Sequence, residues 1–253
     1  MSRVSVATRL GLVEQTRRPL LLVLLVIVPL LFITKAIAAT QPLPRQVGLP
    51  GGVRVLTNMR DVHGAVMAAI TVAFLAGLCG VFVMQAIRQG DRRLVVAGFT
   101  PFQALLPRLV VLGAESVLVL GVSLAVTAFS FQPRSWAAFI VGNLLTGAVY
   151  ALLGALAGAL LGGLGATYLI LFGAMLDLGI VQNPMFGVGT PPEWAVLLPG
   201  YGPGRVIVDA AFSERFHAWA ALAISLGWTL ALLVLVLLVL HRIVATHSGG
   251  HCS

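Results

Sequence analysis

The chain has 253 residues, 59% hydrophobic and only 9% charged, with a mean hydropathy of +1.02. A soluble domain carries about 25% charged residues, and a chain of this length cannot bury so much apolar surface in one aqueous core, so lipid must solvate most of it. The net charge of +8 comes from 16 Lys and Arg against 8 Asp and Glu with no long basic run, which makes nucleic-acid binding a poor reading and suits basic residues at the ends of membrane spans.

Residues 2–18, SRVSVATRLGLVEQTRR, are loosely amphipathic at helical spacing. With Pro19 as a corner, residues 1–19 are expected to form a basic helix lying on membrane lipid, the alternative being a disordered leader. Leu20–Ala39 is the first apolar run long enough to span, with Pro29 as a kink. Ala36-Ile37-Ala38 mimics a leader-peptidase site, but the leader is long and Lys35 directly precedes it, so an uncleaved span is expected. Thr40–His63 holds Pro42, Pro44, Pro50, Gly48, Gly51 and Gly52 and reads as a turn-rich connection. Gly64–Ile87 is the second span.

Residues 88–104 interrupt this apolar chain with Arg88, Arg92 and Arg93. Gly90-Asp91 is expected to break the preceding helix. Asp91 would cap a short helix from Arg92 that ends near Gly98, and Thr100 would cap a second start with Pro101 in its first turn. Such a helix, parallel to the membrane, would expose Arg92, Arg93, Phe99 and Phe102 for docking. An ordinary positive loop needs the arginines but not the aromatics.

Leu105–Phe131 is the third span, Trp136–Gly163 the fourth, Gly165–Val181 the fifth and His217–His241 the sixth, followed by a tail over 242–253. The expected fold is therefore an all-α membrane protein whose transmembrane region covers residues 20–241. In the fourth span Gly154, Gly158 and Gly162 recur every four residues, as do Ala151, Ala155 and Ala159, a pattern for close helix packing. Between the fifth and sixth spans, about 184–214, two short apolar pieces flank the turn Pro199-Gly200-Tyr201-Gly202-Pro203-Gly204 and read as a re-entrant or interfacial hairpin. With the N-terminus inside, nine basic residues fall on inner segments and seven on outer ones, and the dense clusters around Arg17 and Arg92 favour that orientation, with both termini cytoplasmic.

No catalytic residue is nominated. The single lysine, Lys35, follows Thr34, so the chain cannot supply the GxxxxGK[ST] loop that cradles phosphates. HExxH and GxSxG are absent. Cys79 and Cys252 form no CxxC, and a flexible tail is a better reading of His241, His247, His251 and Cys252 than a metal site. Glu115 and Asp177 lie inside spans, where charge marks either a wet path or a local pairing, for Glu115 with an arginine such as Arg108.

The order of a basic leader helix, an inner segment carrying Gln89-Gly90-Asp91-Arg92-Arg93 and Ala97-Gly98-Phe99-Thr100-Pro101, a short fifth span and a Leu197-Leu198-Pro199-Gly200-Tyr201-Gly202-Pro203-Gly204-Arg205 hairpin resembles the membrane subunit of type-2 ABC exporters, across essentially the whole chain. Arg92 and Arg93 stand where that family often has Glu or Lys. The resemblance implies a multi-pass subunit of the cell membrane with no cofactor of its own. It implies partners: two copies of a cytosolic ATPase carrying ATP and Mg, and a second membrane subunit, identical or different. Residues Asp91, Arg92, Arg93, Phe99, Thr100 and Phe102 would couple to the ATPase, and the hairpin would gate the exit. Glu115, Asp177, Tyr201 and Arg205 would be the path or gate residues. A drug-like or lipid-like amphipathic cargo suits the low charge of the spans, with polysaccharide export as the alternative within the family. A self-contained carrier or enzyme using Glu115 and Asp177, and a non-transporting anchor, are the alternatives outside it.

Overall fold

The computed structural model describes residues 19–96, 101–186 and 189–248; the side chains of 19–22, 87–96, 101–106, 108 and 243–248 fall outside that description. The leader 1–18, Phe99, Thr100 and the tail 249–253 therefore lie outside the described residues.

Helix α1 spans Pro19–Ala39. Leu25, Pro29, Ile33 and Ile37 recur every four residues along its buried side, while Val26, Leu30 and Leu31 are exposed. Two antiparallel strands follow, β1 (Pro44–Gly48) and β2 (Arg54–Asn58), in register from Pro44 opposite Asn58 to Gly48 opposite Arg54. This corrects the expected loop. The Pro/Gly cluster supplies only the turn, where Gly51 and Gly52 take φ of 86° and 82°, which glycine adopts without steric cost. The flanking residues supply a short ladder.

Helix α2 runs from Met59 to Val96. Asn58 caps it: its Oδ1 accepts from Asp61 N at 2.8 Å and its Nδ2 donates to Asp61 Oδ2 at 2.6 Å. The helix therefore starts before the expected Gly64. It also passes through Gly90-Asp91 without the expected break, since one interior glycine costs only about 1 kcal/mol and leaves the hydrogen-bond ladder intact. Pro101 opens α3 (Pro101–Ala128), as its suitability for a first turn predicts.

Helix α4 covers Trp136–Ala174 and is broken at Gly162, with φ 73° and ψ −174°. The Tyr150 hydroxyl donates to Asp177 Oδ2 at 2.7 Å across 27 residues of sequence. A straight helix would hold those residues about 40 Å apart. The chain must therefore reverse at Gly162 into two antiparallel arms, and the left-handed φ there requires glycine. Both arms lie against α2, where Gly77 meets the Tyr150 carbonyl of one arm and Ile170 of the other. Beyond Ala174 the second arm loosens into a π-helix, Met175–Val181.

Where the hairpin was expected, a 3-10 turn covers Glu193–Leu197 and a short helix α5 covers Tyr201–Phe212, followed by α6 (Trp219–Ser248). Gly202–Ala211 are all buried. Helix α5 is wedged between α4, where Gly142 faces Val206 and Ile207, and α6, where Gly202 faces Ala221 and Ser225.

Four helical stretches are long and apolar enough to cross a membrane: Met59–Ala86, Leu109–Ala128, Trp136–Val181 and Trp219–Arg242, with Val23–Ala39 a shorter apolar helix. The first is 89% buried and forms the axis of the bundle, whereas the last is 17% buried and lies at its edge. Glycines bring α2 and α4 into backbone contact. A Cβ on Gly154 would overlap the Gly77 carbonyl, and one on Gly80 would lie 2.8 Å from Ala155 N. The four-residue glycine repeat thus packs helices at Gly154 and Gly158, while Gly162 makes the turn.

Candidate functional site

Three buried charged residues, Asp177, Arg205 and Asp209, tie α5 to the rest of the bundle. Asp177 is 6% exposed, on the π-helix that closes the second arm of α4. Its carboxylate accepts from Tyr150 Oη at 2.7 Å, from Gly200 N at 2.8 Å and from Gln182 Nε2 at 3.2 Å. The π-helix widens the turn, and Gly200 has no side chain to stand in the way: a Cβ there would lie 2.7 Å from Asp177 Oδ2. Asp177 thus ties both arms of α4 to the residue that leads into α5. A buried carboxylate with three donors is held in place as a clasp.

Arg205, on the first turns of α5, is 9% exposed and donates from Nη1 to Gly48 O at 2.7 Å. Desolvation pulls its pKa below the usual arginine value, and the fields of Tyr201 and Asp209 oppose that pull. The same strand is held twice more. Gly48 N donates to Gly189 O at 3.0 Å, and Arg45 Nε donates to Pro184 O at 3.0 Å. Gly189 has φ of 82°, and a Cβ on it would run into the Gln46 carbonyl. The β-hairpin is thereby latched to Pro184, Gly189 and α5.

Asp209, one turn beyond Arg205, is 1% exposed. Its Oδ2 accepts from His217 N at 2.7 Å and Ala218 N at 3.1 Å, which ties α5 to the start of α6.

The structure therefore ties Asp177 to Gly200, directly before α5, and Arg205 of α5 to the β-hairpin, with Tyr201 as the first residue of α5. Glu115 does not join them: it is 6% exposed on α3, beside the Cys79 thiol of α2. The arginine expected to pair with it, Arg108, has its side chain outside the description. Of the coupling residues, Asp91, Arg92 and Arg93 are helical in α2 and Phe102 is helical in α3, with their side chains outside the description. Among the described residues no group of three or more His, Cys, Asp or Glu could hold a metal ion.

Sequence reasoning missed Tyr150, Gln182, Arg45 and Asp209. Asp209 carried a usable signal, a charge four residues from Arg205 in an otherwise apolar short helix. The partners of Asp177 carried none, being 5 to 27 residues away along a chain that doubles back. No protein-family model matches the chain, and no curated protein matches it either.

Proposed function

We propose that this chain is the membrane-spanning subunit of a type-2 ABC exporter, energised by a separate cytosolic ATPase. The observation that carries the reading is the order of elements in the second half: a helical hairpin reversed at Gly162, a buried short helix α5 led in by Leu198-Pro199-Gly200, and a final long apolar helix. A chain with one lysine and no phosphate loop needs its ATP hydrolysed elsewhere.

In this reading α1, α2, α3, the two arms of α4 and α6 are six crossings. The β-hairpin and α5 face outward, and residues 88–104 face the cytosol. ATP closes a pair of ATPase subunits, and the segment around Arg92, Arg93, Phe99 and Phe102, where α2 ends and α3 begins, carries that movement into both helices. Arg92 and Arg93 would pair with acids on the ATPase, with Phe99 and Phe102 as apolar anchors. A second membrane subunit, identical or different, completes the path. The cargo is drug-like or lipid-like, and polysaccharide is the alternative within the family. The clasp of Asp177 and the latch of Arg205 bear on export, because the outward end opens only when α5 and the β-hairpin separate. Three hydrogen bonds on Asp177 favour that role over a proton relay in a self-contained carrier.

The test is affinity purification of the tagged full chain in mild detergent from its native cell, beside a chain with Arg92→Glu and Arg93→Glu. A stoichiometric P-loop ATPase, lost from the double variant, is the expected result. Recovery of the folded chain alone, with transport intact in liposomes without ATP, overturns the reading.

A further inference from the structure

Where α2 begins, the connection from α3 to α4 passes and α5 ends, a cavity of about 700 Å³ opens to the surface, within the roughly 300–1,000 Å³ of small-molecule sites. Its walls are fixed. Arg134 N donates to Ala211 O at 3.2 Å and Ser135 N to Ala210 O at 2.9 Å, which fastens the connection to α5. Phe131 lies on Gly64 of α2, where an added Cβ would come within 2.6 Å of Phe131 Cβ, and its ring stands 6.0 Å from that of Phe212.

The polar groups on these walls divide into spent and free ones. Gln132 Nε2 donates to Ala128 O at 2.7 Å, and its Oε1 accepts from Trp136 Nε1 at 3.1 Å. Asp61 is partly exposed, and its Oδ2 accepts from Asn58 Nδ2 at 2.6 Å and from Thr57 Oγ1 at 3.5 Å. Its Oδ1 is open to the surface and has no partner among the described residues. The Ser130 hydroxyl and the Arg134 guanidinium, on exposed residues, have none there either. Asp61 and Arg134 thus line one cavity with opposite charges, yet they form no ion pair within 4.0 Å. A carboxylate and a guanidinium held apart across a cavity match a ligand that carries both charges itself.

The place of the cavity points to the source of that ligand. Three helical stretches long and apolar enough to span start or stop at its walls: Met59–Ala86, Leu109–Ala128 and Trp136–Val181. Lipid head groups lie at that depth. Phe129 on the cavity wall is 91% exposed and Trp136 closes the same connection, as suits aromatic side chains at the head-group level.

We propose that this cavity holds the head group of a zwitterionic phospholipid with a primary amine, phosphatidylethanolamine, its ammonium at Asp61, its phosphodiester at Arg134 and Ser130, and its acyl chains leaving past Phe129. An ammonium N–H can donate to Asp61 Oδ1, which a quaternary choline nitrogen cannot. A lipid with an anionic head group meets Arg134 but sets its negative charge against Asp61. The site lies within one chain and needs no ATPase, so it stands or falls apart from the transport reading.

The experiment uses the full chain, delipidated in detergent, and native mass spectrometry with phosphatidylethanolamine, phosphatidylcholine and phosphatidylglycerol of identical acyl chains. One phosphatidylethanolamine is expected to bind about tenfold more tightly than either of the others, the ratio a charge-assisted hydrogen bond supports. Asp61→Asn keeps the size of the side chain and should abolish that preference. Arg134→Gln should weaken all three lipids, while Arg215→Gln, at an exposed arginine off the cavity, should change none. If Asp61→Asn lowers the Tm, Arg134→Gln carries the test. Equal binding of phosphatidylethanolamine and phosphatidylcholine would overturn the proposal. So would a preference that survives Asp61→Asn, or binding unmoved by Arg134→Gln. Acyl-free glycerophosphoethanolamine bound as tightly as the lipid would make the cavity a site for a soluble zwitterion and overturn the lipid assignment.

Discussion

Gly154→Ala is the substitution whose sign the packing decides. Alanine is the better helix former by about 1 kcal/mol, so on propensity alone the change stabilises. In the bundle, the new Cβ would lie 2.8 Å from the Gly77 carbonyl carbon and 3.0 Å from Gly77 Cα, with the carbonyl oxygen nearer still. Ordinary contact begins at 3.4 Å, so the carbon alone demands at least 0.6 Å of movement. What must move is backbone, and it belongs to the most buried helix of the fold. No side chain can rotate away. Overpacking of this kind costs about 1–3 kcal/mol and must first cancel the propensity gain. A net loss of about 1–2 kcal/mol, at the upper part of that range because only backbone can move, corresponds to a fall in Tm of roughly 2–8 °C for a chain of this size. The assay is thermal unfolding in detergent, followed by size-exclusion fluorescence, beside Gly121→Ala, where an added Cβ meets nothing within 4 Å. Gly121→Ala should be neutral or stabilising. Gly154→Ala as stable as Gly121→Ala would refute the close approach of α2 and α4.

Other expectations follow from the hydrogen bonds. Asp177→Ala leaves the buried Tyr150 hydroxyl and Gly200 N–H unpaired, at about 1–3 kcal/mol each, whereas Tyr150→Phe should cost only about 1 kcal/mol; a double-mutant cycle by thermal unfolding should show the two coupled. Arg205→Met should free the β-hairpin, seen as faster amide exchange over 44–58 with little change in α2. Asp209→Ala removes the acceptor for His217 and Ala218 N–H and should lower stability by about 1–2 kcal/mol, with Asp209→Asn recovering part of it.

What the sequence made legible was what local pattern carries. Long apolar runs mark the helices of the bundle, and spans ending at Gly163 and starting at Gly165 place the boundary between the two arms, but Gly162 reads as part of a packing repeat and only the fold gives it the turn. The Pro199–Gly204 run likewise points to two short helical pieces, although only Pro199-Gly200 turns and α5 already begins at Tyr201. The β-hairpin was hidden because its strands are five residues each and its proline and glycine content dominates the reading; Arg54-Val55-Leu56-Thr57-Asn58 alternates only briefly. The start of α2 was placed late because the apolar run begins at Gly64, although the Asn58–Asp61 cap was present in the sequence. Asp177 was singled out from the cost of burying charge, but its role depends on Tyr150 and Gly200, which fold topology alone brings near.

The most direct test of the transport reading places a photo-crosslinking amino acid at Arg93 in one chain and at Leu56, which is 69% exposed on the β-hairpin, in another. Both are expressed in the native cell, irradiated and purified under denaturing conditions. A covalent adduct with a P-loop ATPase is expected from position 93 and none from position 56. An adduct with the ATPase from neither position, or from both alike, would contradict it.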